Sequence, residues 1–120
     1  MIDDSKPIFQ QIAEQIENDI ISGALPEESQ VPSTNEFAAF HRINPATAGK
    51  GVAVLVDDGV LYKKRGIGMF VATGSRERLL AKRRESFRTD FVAPLIAEAK
   101  KLGISPAQLN QLISEEGEAS

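Results

Sequence analysis

A chain of 120 residues, 42% of them hydrophobic, is long enough for one small cored domain and an appendage. It has no cysteine, which removes disulfides and thiolate metal ligands, and no apolar run near the ~18–20 residues that a membrane span needs. The net charge of −3 hides an asymmetry: residues 1–29 hold one Lys and seven acids (−6), residues 30–90 eleven Lys or Arg and six acids (+5), and residues 91–120 two Lys and four acids (−2). Positive charge therefore gathers in the middle of the chain. By itself this is as readily a solvated basic surface as a nucleic-acid footprint. The acidic, polar start is unlike a secretion signal, so the cytoplasm, at the nucleoid, is the expected compartment.

Residues 1–6 form a polar lead, and Pro7 opens a helix that ends at Gly23, with Ser5 or Lys6 near its cap. Phe9, Ile12, Ile16 and Ile20 recur at helical spacing beside Ala13, so one stripe is buried and this helix is scaffold. Ala24 to Gln30 is a connector in which Pro26 blocks further helix. Ser33 with Glu36 three residues on is a capping box that starts a short helix to Phe40, with Phe37, Ala38 and Phe40 facing inward. Ser33, Thr34 and Asn35 lie at its exposed start, where backbone amides and the helix dipole attract phosphate, although Ser33 serves equally well as a plain cap.

His41-Arg42-Ile43 is a short turn, and Asn44 followed by Pro45 starts a second helix with an N-cap and a first-position proline. Two short helices joined so tightly must cross, as in a helix-turn-helix. The second runs to Asp57-Asp58-Gly59, with Gly59 as a left-handed C-cap. Ala48, Val52, Leu55 and Val56 form its buried face, while Ala46, Thr47, Gly49 and Lys50 form a small, polar, cationic face suited to phosphates and base edges. Gly49 and Gly51 inside a helix each cost about 1 kcal/mol relative to alanine. They either permit close approach to DNA, or ordering on it, or are drift tolerated because packing holds the helix.

After Gly59 the period becomes extended. Val60-Leu61-Tyr62 and Met69-Phe70-Val71 are strand-like runs flanking Lys63-Lys64-Arg65-Gly66-Ile67-Gly68, a basic hairpin directly after a candidate recognition helix, which is a wing. No helix follows the Gly-x-Gly, so it is no phosphate loop, and both glycines are expected to serve the hairpin tip. After Ala72-Thr73-Gly74 the composition shifts. Ser75 is placed as the cap of a long helix that opens with Arg76, Arg78, Lys82, Arg83, Arg84 and Arg88, is kinked or broken by Pro94, and ends at Gly103. Ser105-Pro106-Ala107-Gln108 restarts a helix, with residues 115–120 expected to fray. Leu80, Phe87, Phe91, Leu95 and Leu102, and then Leu109, Leu112 and Ile113, give these helices stripes that two helices cannot bury alone; a second copy of the chain is the preferred cover over the preceding domain.

Pro7-Ile8-Phe9-Gln10-Gln11-Ile12, Ser22-Gly23-Ala24-Leu25, Val31-Pro32-Ser33, Asn44-Pro45-Ala46-Thr47, Asp58-Gly59-Val60-Leu61 and Arg65-Gly66-Ile67-Gly68-Met69-Phe70-Val71 occur in that order. Together they resemble the winged-helix domain of the GntR family of bacterial transcription regulators over roughly the first 72 residues. The Asn-Pro-x-Thr element and short tail are most similar to its YtrA-type branch. The resemblance implies a sequence-specific DNA-binding regulator, a repressor, that holds a palindromic operator as a homodimer through a two-helix tail. It also implies that Arg65 and Gly66 lie at the minor groove, and that an arginine usually stands where this chain has Asn35. Asparagine can pair with adenine but lacks the charge and the guanine-reading fork.

The expected architecture is thus mainly α with a small β wing: residues 1–73 a winged helix-turn-helix, residues 74–120 a helical dimerisation appendage. Candidate DNA contacts are Ser33, Thr34, Asn35, Arg42, Asn44, Ala46, Thr47, Lys50, Lys63, Lys64, Arg65, Gly66 and Gly68. No cofactor is expected; a small-molecule effector between the tail helices stays open, though no convergent polar cluster marks its site. A winged helix that binds protein instead of DNA is the alternative. With one His, no Cys and no nucleophile–base or metal spacing, an enzyme is not expected.

Overall fold

The computed structural model describes residues 6–120, so Ser5, named above as a cap, lies outside the described residues. Helix α1 spans Ile8–Ser22 behind Pro7, which supplies no side-chain cap, and stops at Gly23 in the left-handed conformation. Helix α2 is Thr34–His41, α3 is Pro45–Asp57, strands β1 and β2 are Leu61–Lys64 and Gly68–Val71, and α4 is Ser75–Phe87. A π turn over Arg88–Val92 leads into α5, Ala93–Lys101, and α6 is Pro106–Ala119. The chain forms two compact units that divide within α4, between Ala81 and Lys82.

The core of the first unit follows the periodicities. Ile12, Ile16 and Ile20 from α1, Phe37 and Ala38 from α2, Ala48, Val52 and Leu55 from α3, and Leu61, Val71 and Leu79 are buried together. The three isoleucines contribute about 1.5–3 kcal/mol each before ordering costs. Phe40 does not join them. It is 83% exposed, because an eight-residue helix has one inward stripe and Phe37 and Ala38 fill it. His41 belongs to α2 rather than to the turn, and Arg42 caps the helix in the left-handed conformation, with the Ile43 amide reaching back to the Ala38 carbonyl at 3.0 Å.

Gly51 explains one of the two helix glycines. A Cβ there would lie 2.8 Å from the Phe9 carbonyl oxygen and 2.9 Å from Ile12 Cγ2, so α3 crosses α1 at this point with no room for a side chain. Its purpose is helix–helix contact, on the face away from solvent, and neither approach to DNA nor drift describes it. At Gly49 a Cβ would meet only Thr34 Cγ2, at 3.6 Å, an ordinary contact.

Ser75 is not an exposed cap. It is fully buried, and its hydroxyl donates to the Val60 carbonyl at 2.8 Å, docking the start of α4 on the residue that precedes β1. In the second unit the capping box is present, with the Ser105 hydroxyl accepting from the Gln108 amide and the Gln108 side chain accepting from the Ser105 amide. Pro94 does not break the helical run, but the regular α geometry is interrupted just ahead of it. A proline ring would clash with the carbonyl four residues back, and the π turn, where the Ala93 amide donates to Arg88, widens the helix just ahead of it. Helix α6 continues to Ala119 instead of fraying from residue 115. Leu109 is 9% exposed in this chain alone, so it is core between α5 and α6 with Ala99 and is withdrawn from the exposed stripe.

Candidate nucleic-acid interface

Each end of the helix pair is built by its own cap. The Ser33 hydroxyl accepts from the Glu36 amide at 3.1 Å while the Glu36 carboxylate accepts from the Ser33 amide at 3.3 Å, so the box is complete and Ser33 is a structural cap. Thr34 is half-buried and Asn35 is exposed. At α3, Asn44 Oδ1 accepts from the Ala46 amide at 2.7 Å, which commits that side chain to the cap as well. Ala46 and Lys50 are exposed, Thr47 is half-buried, and Ala48, Gly51, Val52 and Leu55 are buried on the opposite side. The side chain of Thr47 is therefore not sunk into the core. Ala53, three residues after Lys50 and seven after Ala46, shares the exposed stripe and extends the candidate face; the same helical spacing could have found it.

Lys50 is not idle. Its ammonium lies 4.1 Å from the centre of the Phe9 ring, a contact worth about 0.5–1 kcal/mol at an exposed site and weaker than a phosphate partner. The wing has the expected antiparallel register, Leu61 against Val71 through Lys64 against Gly68. The Ile67 amide donates to the Lys64 carbonyl at 2.9 Å, and Gly66, third in that turn, has φ 78, which suits glycine. Lys63 and Arg65 are exposed and make no ion pair among the described residues, while Lys64 Nζ sits 4.3 Å from the centre of the Phe70 ring. Gly68 is not at the free tip. A Cβ on it would lie 2.5 Å from Gln30 Nε2, so the glycine makes room for a side chain of the α1–α2 connector.

Part of the basic run in α4 has a different use. Arg76 Nε donates to the Ile21 carbonyl at 3.0 Å, and Arg78 Nη2 donates to the Gly59 carbonyl at 2.6 Å. These arginines satisfy carbonyls at the ends of α1 and α3, where the helix dipoles are negative. Glu28 makes contacts with the wing that the sequence did not suggest. It accepts hydroxyls from Tyr62 and Thr73, and those bonds, Thr73 first, hold its carboxyl below the ordinary carboxylate range. The same bond to Glu28 pushes the Tyr62 phenol up.

Two capped helices in contact, with an exposed polar face on α3, are followed in sequence by a cationic hairpin. The model of bacterial regulatory proteins of the gntR family matches residues 8–71, more than half of the chain. The chain belongs to the GntR family. Its function is that of a DNA-binding transcription regulator. Among curated GntR relatives, the transcriptional repressor YtrA of Bacillus subtilis is 25% identical over 111 residues, 92% of this chain and 85% of its own length. The transcriptional repressor NagR of the same organism is 35% identical over 74 residues, 62% of this chain, but the chain spans only 30% of NagR. A GntR regulator from Listeria monocytogenes has a solved structure with TM-score 0.75 and 26% identity, covering 95% of this chain and 98% of its own. The DNA-binding domain of AraR, solved with operator ORX1, gives TM-score 0.54 at 31% identity over 56% of this chain and 81% of its own. No helix among the described residues is long and apolar enough to cross a membrane.

Proposed function

We propose that this chain is a repressor that binds a palindromic operator as an isologous homodimer, with residues 1–73 reading DNA and residues 74–120 pairing the copies. The observation that carries the DNA half is the exposed Ala46–Lys50 side of α3 next in sequence to a wing whose Lys63 and Arg65 have no ion-pair partner among the described residues. Helix α3 enters the major groove, where Thr47 and the Ala46 methyl meet base edges. Asn35 reads a base from the start of α2, and Thr34 and the first-turn amides that the Ser33–Glu36 box does not engage take a phosphate. Asn44 is better placed as a cap beside the sugar–phosphate backbone than as a reader, because its Oδ1 is already engaged. Arg42, Lys50, Lys63 and Lys64 supply salt-sensitive phosphate attraction, and Arg65 with Gly66 enters the minor groove.

The pairing half is supported by what α4, α5 and α6 leave uncovered. Phe87, Phe91, Leu95, Ile96, Leu102, Leu112 and Ile113 are exposed, while Ala99 and Leu109 are the buried hydrophobics of the second unit. So small a core does not stabilise a unit of its own, and a second copy offers the matching stripe. Leu80 is half-buried. Twofold symmetry sets two half-sites about 10–10.5 base pairs apart, or a multiple of that. The repressor sense rests on the printed names of NagR and YtrA. The cytoplasm is the matching compartment.

Selection of bound duplexes from a random DNA pool tests the whole reading and is expected to return an inverted repeat. Thr47→Glu, which sets a carboxylate against phosphate, should abolish binding to the selected duplex. Retention of affinity within about threefold refutes this placement of α3.

A further inference from the structure

Glu28 is one of two non-glycine residues with positive φ among the described residues, at 65. A side chain is disfavoured there, and such conformations persist where their surroundings over-determine them. At Glu28 the surroundings are the wing. Its amide donates to the Val71 carbonyl at 2.8 Å, Oε1 accepts from the Tyr62 hydroxyl on β1, and Oε2 accepts from the Thr73 hydroxyl just beyond β2 at 2.5 Å. One carboxylate thus ties the two sides of the hairpin together. The chain beyond it continues the support: the Val71 amide donates to the Ser29 carbonyl at 3.0 Å, and the Val31 amide to the Met69 carbonyl at 2.9 Å. Gln30 forms a bridge with Phe70, and its Nε2 donates to the Ile67 carbonyl at 3.0 Å in the space that Gly68 leaves open. The connector of α1 and α2 is in effect a third edge laid along β2. Its bonds reach Tyr62, Ile67, Met69, Phe70, Val71 and Thr73 and stop short of the turn at Arg65 and Gly66.

We infer that Glu28 is a positioning residue for DNA binding: its carboxylate latches β1 to the segment after β2 and so fixes the angle at which Arg65 is presented to the groove. This rests on the wing reading proposed above. A latch that only stabilised the fold would leave the contribution of Arg65 unchanged when removed, and that difference is measurable. Glu28→Gly suits the left-handed backbone while deleting both acceptors, so it separates the latch from the conformation that the residue adopts. The experiment is a double-mutant cycle of Glu28→Gly with Arg65→Ala. Affinity is read by fluorescence anisotropy on a labelled duplex selected from a random pool with the unaltered chain, at several salt concentrations.

Arg65→Ala is expected to weaken binding about fivefold in the unaltered chain and to lower the salt slope by about one, but to cost less than about twofold in the Glu28→Gly background. Glu28→Gln keeps the side-chain shape and one carbonyl acceptor. It repeats the cycle independently of any folding defect in the glycine variant and should give intermediate coupling. Equal Arg65→Ala factors in all backgrounds, or full affinity in both Glu28 variants, overturn the latch and leave the wing reading standing. No effect of Arg65→Ala in the unaltered chain overturns the wing reading and the latch with it.

Discussion

Gly49 and Gly51 stand two residues apart on the same helix, yet replacing each by alanine should move stability in opposite directions. Helix propensity favours alanine at both by about 0.8–1 kcal/mol. At Gly49 the added methyl would touch Thr34 Cγ2 at 3.6 Å, so the gain is kept and Gly49→Ala should stabilise by about 0.5–1 kcal/mol. At Gly51 the methyl would stand 2.8 Å from the Phe9 carbonyl oxygen, with Ile12 Cγ2 at 2.9 Å and Ile12 Cβ at 3.1 Å. The nearest obstacle is backbone in the first turn of α1, which cannot rotate aside, and overpacking of this kind costs about 1–3 kcal/mol. The net effect of Gly51→Ala is a loss of up to about 2 kcal/mol once the propensity gain is subtracted. Urea unfolding followed by far-ultraviolet circular dichroism, at one fixed protein concentration because a dimer's midpoint depends on it, reads both variants. A Gly51→Ala chain stabilised as much as Gly49→Ala would refute the close crossing of α1 and α3.

Phe91, 65% exposed, is the centre of the proposed pairing stripe, and Phe91→Asp should give monomers in analytical ultracentrifugation at tens of micromolar with weak operator binding; an unaltered dimer counts against the stripe. Glu28 carries a pH signature. Its carboxyl is held low by the Thr73 and Tyr62 hydroxyls and, less, by the Lys64 charge, so its contribution is present above its ordinary value of 4.5 and is lost as pH falls through the lower folded value. Acid unfolding of Glu28→Gly should lack that component. Tyr62 is raised above 10.0, so its contribution is present below that value and is lost as pH rises through the higher folded one. Because it is the single tyrosine and there is no tryptophan, phenolate absorbance titrates it alone. Glu28→Gly should lower its midpoint toward the ordinary value of 10.0; an unchanged midpoint contradicts the hydrogen bond.

The parts of the molecule governed by neighbours in sequence were legible before any coordinates. The Ser33–Glu36 and Ser105–Gln108 boxes, the Asn44-Pro45 start, the Ala48–Val52–Leu55 face and the Lys64–Gly68 hairpin closure each depend on residues within a few positions of one another. What escaped depends on distant partners. Gly51 is explained by Phe9, and Gly68 by Gln30. Ser75 is explained by Val60, and Glu28 by Tyr62 and Thr73, in stretches that read as polar connector or cap. Phe40 misled because an aromatic residue at helical spacing suggests an inward face, whereas α2 is too short to have a second one. Arg76 and Arg78 looked like part of one cationic run, but carbonyls that end two other helices claim them.

The widened turn at Arg88–Val92 sets how the tail tolerates changes in length. Eight α-helical residues from Phe87 to Leu95 would overshoot two full turns by about 80°, but a π turn absorbs one residue and leaves the two side chains within about 20° of one line. The turn in this sense holds one residue more than an α turn would without re-aiming α5. Deleting one residue from that turn would keep the aromatic and aliphatic rows aligned, while the same deletion in the regular turns of α5 would swing everything downstream by about 100°.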